Sequence, residues 1–154
     1  IQHVLLNGED VNGYIRTEEV GMAASVVSRY KEVRAGLVVR QQKIAGSQNI
    51  VMDGRDIGTV VLPDAQLKIF LTAGVHVRAL RRHKDLEMSG KTADLKEIEK
   101  DIEERDLQDR TRKESPLVQA PDAVYLDTSD MTISEVTDYI LNLAETRMAQ
   151  GREL

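Results

Sequence analysis

Residues 67–72 read LKIFLT and residues 123–127 read AVYLD, two short runs of branched and aromatic apolar side chains separated by a long stretch of helical periodicity. Near-continuous apolar runs of this length mark strands covered on both faces. Parallel strands also need a crossover of a dozen or more residues, usually helical. The crossover here reads as two helices, over residues 75–89 and 93–113, joined at Gly90. Upstream, residues 49–53 (NIVMD) make a third apolar run, expected as another parallel strand. Downstream, Thr132 with Glu135 three residues later is a capping box, opening a final helix whose core face is Val136, Ile140 and Leu143. The order strand, strand, two helices, strand, helix predicts an α/β fold with a parallel sheet and helices packed on it. Three parallel strands fall short of the roughly five or six of an average sheet, so further strands are expected before Ile1.

The first third of the chain has a different pattern. Residues 3–7 (HVLLN) read as a short strand and Asn7-Gly8 as a tight turn, with the partner strand expected outside this sequence. Thr17 is a helix cap, followed by Glu18 and Glu19 at the positive helix end, and Val20, Ala23, Ala24 and Val27 share one face. A second helix is expected from about Lys31, with Val33, Leu37, Val38, Gln41 and Ile44 on its inner side and Ala45-Gly46-Ser47 as its end.

The 154 residues carry a net charge of −5, with 41% apolar, 31% charged and only 3% aromatic residues. That composition suits a single packed domain and is too apolar for a disordered chain. An acidic total disfavours a nucleic-acid binder, which must neutralise phosphates, and five aromatic rings supply no base-stacking platform. Without cysteine there are no disulfides, thiolate metal sites or cysteine nucleophiles. No apolar run approaches the roughly 18 residues of a membrane span, and no signal peptide opens the chain, so a cytoplasmic protein with no membrane partner is expected.

Three constellations can carry chemistry. The first is Asp53-Gly54-Arg55-Asp56-Ile57-Gly58-Thr59, directly after the NIVMD run. Ligands of open α/β sheets bind beyond the carboxyl ends of strands, where Arg55 offers a fork for phosphate and Asp56 an acceptor. Gly54 and Gly58 would let the backbone turn sharply there; alternatively this is a loop whose Arg and Asp pair with each other. The second lies on the long helix, where Arg105, Asp109 and Arg112 continue the apolar stripe of Leu95, Ile98 and Ile102. A carboxylate between two guanidiniums can pin them so that they converge on an anion. The same spacing also describes a solvated ion-pair ladder worth about 0.3–0.5 kcal/mol per pair. The third is Arg78, Arg81 and Arg82 on the preceding helix, part of a stretch from Arg78 to Lys113 that holds 11 of the 21 basic residues. Positioned cations of this kind suit phosphoryl transfer; a basic face balanced by neighbouring acids is the simpler alternative.

Other motifs fail. Gly90-Lys91-Thr92 imitates the tail of a phosphate-binding P-loop, but Asp85 stands where the first glycine belongs and no strand precedes it. His3, His76 and His83 have no zinc-ligand spacing, so no metal ligand set is assigned.

The stretches NGEDVNGYIRTEEV (7–20), AASVVSRYKEVR (23–34), MDGRDIGTVVLPDAQLKIFLTA (52–73), RALRR (78–82), IEERDLQDRTRKESPL (102–117) and DAVYLDTSDMTISEV (122–136) closely resemble the bacterial cytidylate kinases, in the family's order and over nearly the whole chain. The resemblance implies the P-loop nucleoside monophosphate kinase fold, a three-layer α/β/α core with a mobile lid and an enlarged monophosphate-binding insert. Residues 1–48 then correspond to part of the insert and 49–154 to the C-terminal part of the core, with the lid at about 78–113. It implies transfer of the ATP γ-phosphoryl to CMP or dCMP with Mg²⁺, in a monomer. Position by position, it assigns Ser25, Arg34 and Asp56 to the cytosine edge, and Arg55 and Arg105 to the CMP phosphate. Asp109 corresponds to the ribose hydroxyl acceptor, Arg112 to a group beside the base, and Arg78 and Arg82 to lid arginines near the transferring phosphoryl. Asp53 corresponds to a group that holds a Mg²⁺-bound water.

One departure stands out: the family's P-loop strand precedes the point where this chain begins. The 154 residues alone are therefore expected to be catalytically inactive, with the kinase activity belonging to the complete protein. The alternative function is a non-catalytic nucleotide-binding fragment lacking the P-loop.

Overall fold

The computed structural model describes residues 3–28 and 30–150. The chain divides between Ile50 and Val51 into two compact units.

The first unit opens with a hairpin of two-residue strands, β1 (Leu5–Leu6) and β2 (Glu9–Asp10), paired antiparallel with Leu5 opposite Asp10. Asn7 and Gly8 turn it at φ 53° and 88°, the positive-φ pair that matches the twist of a two-residue hairpin. The strand at residues 3–7 thus finds its partner immediately downstream, correcting the expectation of one outside the sequence: a two-residue turn needs only the next few residues. His3 Nδ1 pairs with Asp10 Oδ2 at 2.6 Å across the hairpin mouth.

Helix α1 (Glu18–Val27) is capped as predicted, with Thr17 accepting from the Val20 amide at 3.3 Å. Helix α2 (Lys31–Ala45) likewise follows its predicted bounds. The inner face expected on α2 is not a buried one: Leu37 and Ile44 are 48% and 47% exposed, and no described residue of α2 is buried. A hairpin and two helices enclose too little volume to bury such a stripe fully.

The second unit is a βααβ crossover followed by a helix. Strands β3 (Ile69–Thr72) and β4 (Val124–Asp127) are parallel, in the register Ile69–Val124, Phe70–Tyr125, Leu71–Leu126 and Thr72–Asp127. The rings of Phe70 and Tyr125 stack at 6.1 Å across this pair. Between the strands run α3 (Val75–Met88) and α4 (Leu95–Thr111), which pack on each other with Ala79 and Ile98 buried. Helix α5 (Ile133–Gln150) closes the chain behind the predicted capping box: the Glu135 amide donates to Thr132 Oγ1 at 3.3 Å and the Thr132 amide to Glu135 Oε2 at 2.8 Å. Val136, Ile140 and Leu143 are half-buried.

The architecture is α/β, but the sheet differs from the expected three strands. Residues 49–53 form no strand, and Val51 is fully exposed. A strand exists only through its ladder, and among the described residues no neighbour pairs with this segment. The chain instead tightens into a π-helical turn, Ile57–Val61, in which the Asp56 carbonyl accepts from the Val60 and Val61 amides at 2.9 and 3.2 Å. At the other end of the sheet, Lys68 grips the Asp122 carboxylate at 2.8 and 2.9 Å and the Pro63 carbonyl.

Asp94 begins α4 by accepting from the Lys96 and Glu97 amides at 2.8 and 3.2 Å. Removing this cap with Asp94→Ala is expected to lower unfolding stability by about 1 kcal/mol, read from a denaturant melt.

Candidate functional site

The C-terminal ends of β3 and β4 are dense with polar contacts. The Thr128 amide and hydroxyl both donate to the Thr72 carbonyl, at 2.8 and 3.0 Å. The Gly74 amide donates to Ser129 Oγ at 2.9 Å, and that hydroxyl donates to Asp127 Oδ1 at 2.6 Å. Ser129, through its hydroxyl and amide, holds the Asp127 carboxyl below its usual range.

Two arginines of α3 reach this edge in different ways. Arg81 spends its guanidinium on chain anchoring: Nη2 donates to the carbonyls of Thr128 at 2.6 Å and Met131 at 3.3 Å, and Nη1 to Thr128 Oγ1 at 3.3 Å. Arg78 donates through Nε to the Ala73 carbonyl at 2.9 Å. Its Nη1 and Nη2 form a bidentate pair with Asp106 of α4 at 2.9 and 2.6 Å. Hydrogen bonding by Arg78 holds the Asp106 carboxyl below the ordinary carboxylate range against the opposing effect of partial burial. The charges of Arg78, Arg110 and Arg55 deepen that lowering.

One turn further along α4, Asp109 gathers a second pair of arginines. Arg55 Nε donates to Asp109 Oδ2 at 2.7 Å, and Arg112 Nη1 lies 3.7 Å from Oδ1. Arg112 is the residue at which α4 ends, and its Nε donates to the Ser115 carbonyl at 2.6 Å. The Leu117 amide then returns to the Asp109 carbonyl at 2.7 Å, folding the segment after the helix back over its last turn. Arg55, Asp109 and Arg112, from a loop, a helix and that helix's end, are therefore one cluster.

The remaining predicted positions fall as follows. Asp109 is flanked by Arg55 and Arg112 rather than by Arg105 and Arg112, which corrects the helical-spacing argument. Its oxygens are engaged by a guanidinium 54 residues away in sequence, a tertiary contact that periodicity cannot register. Arg105 and Arg82 are exposed and make no ion pair or hydrogen bond among the described residues. Asp56 is buried, at 7% exposure, at the start of the π-helical turn. Asp53 is exposed. Gly54 and Gly58 do not adopt positive φ; a Cβ at Gly54 would stand 2.9 Å from Ile57 Cγ1, so its bareness accommodates that side chain. Arg34 lies half-buried on α2 of the first unit, and Ser25 falls on α1 with its side chain outside the described residues. Among the described residues no group of three or more His, Asp or Glu could hold a metal ion, and no helix is long and apolar enough to cross a membrane.

The reading of the sequence missed Asp106. Its one signal is its place a turn before Asp109 on α4, and naming Arg78 as its partner needs the α3–α4 packing.

A parallel α/β unit with guanidiniums pinned by carboxylates at the carboxyl end of its strands has the makings of a site for a phosphate-bearing ligand. A family model described as cytidylate kinase matches residues 1–146. The chain is 52% identical over 146 residues to the cytidylate kinase of Ligilactobacillus salivarius, covering 95% of this chain and 65% of that protein. It is 48% identical over 147 residues to the cytidylate kinase of Shouchella clausii (96% and 65%) and 49% identical over 148 residues to that of Listeria innocua (96% and 66%). The chain belongs to the cytidylate kinase family, whose fold is that of the P-loop nucleoside monophosphate kinases. It spans about two thirds of the length of these curated relatives.

The lowered Asp106 carboxyl fixes a pH dependence. Its contribution to stability is complete above its unfolded value of about 4 and is lost as the pH falls through the lower folded value. The difference in melting temperature between wild type and Asp106→Asn is expected to be constant above about pH 5 and to shrink on acidification.

Proposed function

We propose that the protein carrying this chain is a CMP/dCMP kinase, transferring the γ-phosphoryl of ATP to CMP or dCMP to give CDP or dCDP in the cytoplasm. The match of the family model over residues 1–146 carries this reading. The cluster of Arg55, Asp109 and Arg112 supports it chemically, because it gathers cations around a carboxylate on α4. In the reaction, an oxygen of the CMP phosphate attacks the γ-phosphorus while the bond to the bridging oxygen of ADP breaks. Little covalent work falls to the protein, so positioning and charge are its contributions.

On this reading Arg55 and Arg105 hold the CMP phosphate. Arg55 is already oriented by Asp109, and Arg105, exposed and without a partner among the described residues, has its full donor set to offer. Asp109 accepts from a ribose hydroxyl, with Arg112 beside the base. Asp56 reads the cytosine edge, since a carboxylate accepts from the exocyclic amine that uracil lacks. Ser25 and Arg34 share the base-recognition role. Arg78 and Arg82 act as lid arginines near the transferring phosphoryl. Residues 1–48 are part of the monophosphate-binding insert, residues 49–154 belong to the core, and about 78–113 form the lid of a monomeric enzyme.

Mg²⁺ would arrive on the ATP phosphates, a mode that needs only one or two protein carboxylates and suits a chain without a ready-made cage among its described residues. Asp53, exposed beside Arg55, would hold one of its waters. The ion would supply charge neutralisation on the ATP phosphates.

In the full-length enzyme, Asp56→Ala is expected to cut the preference for CMP over UMP by about 1–3 kcal/mol, measured as the ratio of kcat/KM values. Unchanged discrimination would refute the base-reading role. Arg105→Ala is expected to lower kcat/KM for CMP at least about tenfold. Near-normal activity would mean that Arg105 is an ordinary solvated surface charge.

A further inference from the structure

Arg78 is held at three points, by the Ala73 carbonyl and by both oxygens of Asp106. Three of its five N–H donors are thereby used, leaving one on each Nη nitrogen. A bidentate pair fixes the plane of the guanidinium as well as its position. The anchor at Ala73 puts that plane at the carboxyl end of β3, the edge where α/β sheets receive ligands.

The contrast with Arg81 on the same helix is informative. Arg81 directs its bonds to carbonyls and a hydroxyl of residues 128 and 131, which ties the chain together without any carboxylate. Arg78 bonds a carboxylate as well, and the pair is partly exposed, at 32% and 25% for the two side chains. Asp109 repeats the arrangement one turn along α4, orienting Arg55. Two carboxylates on one helix face thus hold guanidiniums delivered by two other segments, and Arg55 lies close enough to lower the Asp106 carboxyl.

We infer that Asp106 is a positioning residue for phosphoryl transfer, orienting Arg78 so that one of its remaining Nη N–H groups meets the transferring group at the end of β3. The inference rests on the CMP/dCMP kinase reading and deepens it. Asp106 itself touches no substrate; it acts through Arg78. A fixed cationic donor that needs no reorientation as charge shifts onto the phosphoryl oxygens stabilises the transition state in preference to bound CMP.

The test is steady-state kinetics on the full-length enzyme with ATP and CMP, comparing wild type, Asp106→Asn, Asp106→Glu, Arg78→Ala and the Arg78→Ala/Asp106→Asn double variant. Asp106→Asn is expected to lower kcat about ten- to hundredfold, with KM for CMP within about twofold of wild type. Asp106→Glu, which keeps both acceptor oxygens, recovers most of that loss. In the Arg78→Ala background, Asp106→Asn adds nothing further, the signature of two residues acting as one. Normal kcat per folded molecule in Asp106→Asn, with only its melting temperature lowered, would reduce the pair to an interhelix staple and overturn the inference. Independent losses in the double variant, or a raised KM with kcat intact, would overturn it as well. In each of those cases wild-type CDP formation leaves the kinase reading standing, whereas a wild type that forms no CDP removes both.

Discussion

Helix α4 is organised around a pair of carboxylates one turn apart, and the placement of the arginines at this end of the second unit depends on them. Asp106 takes Arg78 from α3 in a bidentate pair, and Asp109 takes Arg55 from the loop before the π-helical turn. Each guanidinium comes from a segment distant in sequence, and each would otherwise be a long, mobile side chain with large rotamer entropy. Pinning them by charge-assisted bonds concentrates positive charge without leaving it unpaired. Neutralising Asp106 would remove the bidentate partner of Arg78, and neutralising Asp109 the carboxylate shared by Arg55 and Arg112.

The sheet beneath is small, and the connections between its two strands do much to define it. Parallel β3 and β4 are joined through α3 and α4, so the packing of the helices on each other and the strand register support one another. Arg81 links these layers from α3 to the turn after β4, while Lys68 clamps the opposite end of the sheet onto Asp122 and Pro63. The two arginines of α3 that reach the strand ends thus divide the work. Arg81 spends its bonds on carbonyls and a hydroxyl of the turn after β4, and Arg78 on the Ala73 carbonyl and the Asp106 carboxylate.

Membership of the cytidylate kinase family gives this arrangement a chemical context. A loose phosphoryl-transfer transition state asks for placed cations more than for acids or bases. A chain of net charge −5 nonetheless gathers several of its arginines locally around carboxylates of α4.

Much of the local structure was legible in the sequence. The capping residues Thr17 and Thr132, the Asn7-Gly8 turn and the runs at residues 67–72 and 123–127 all act through neighbours within a few positions, so their structural outcome is written nearby. The family, too, could be read from motif order alone. Residues 49–53 misled because an apolar, branched run becomes a strand only when another strand lies beside it. Arg105 has the spacing of a helical pair with Asp109, but Arg55 engages that carboxylate. Periodicity along one helix states which residues share a face, and it carries no information about which distant side chain arrives there. The identities of the charges belonged to the sequence; the choice of partners, Arg55 for Asp109 and Arg78 for Asp106, belonged to the packing that brought separate segments within hydrogen-bond reach.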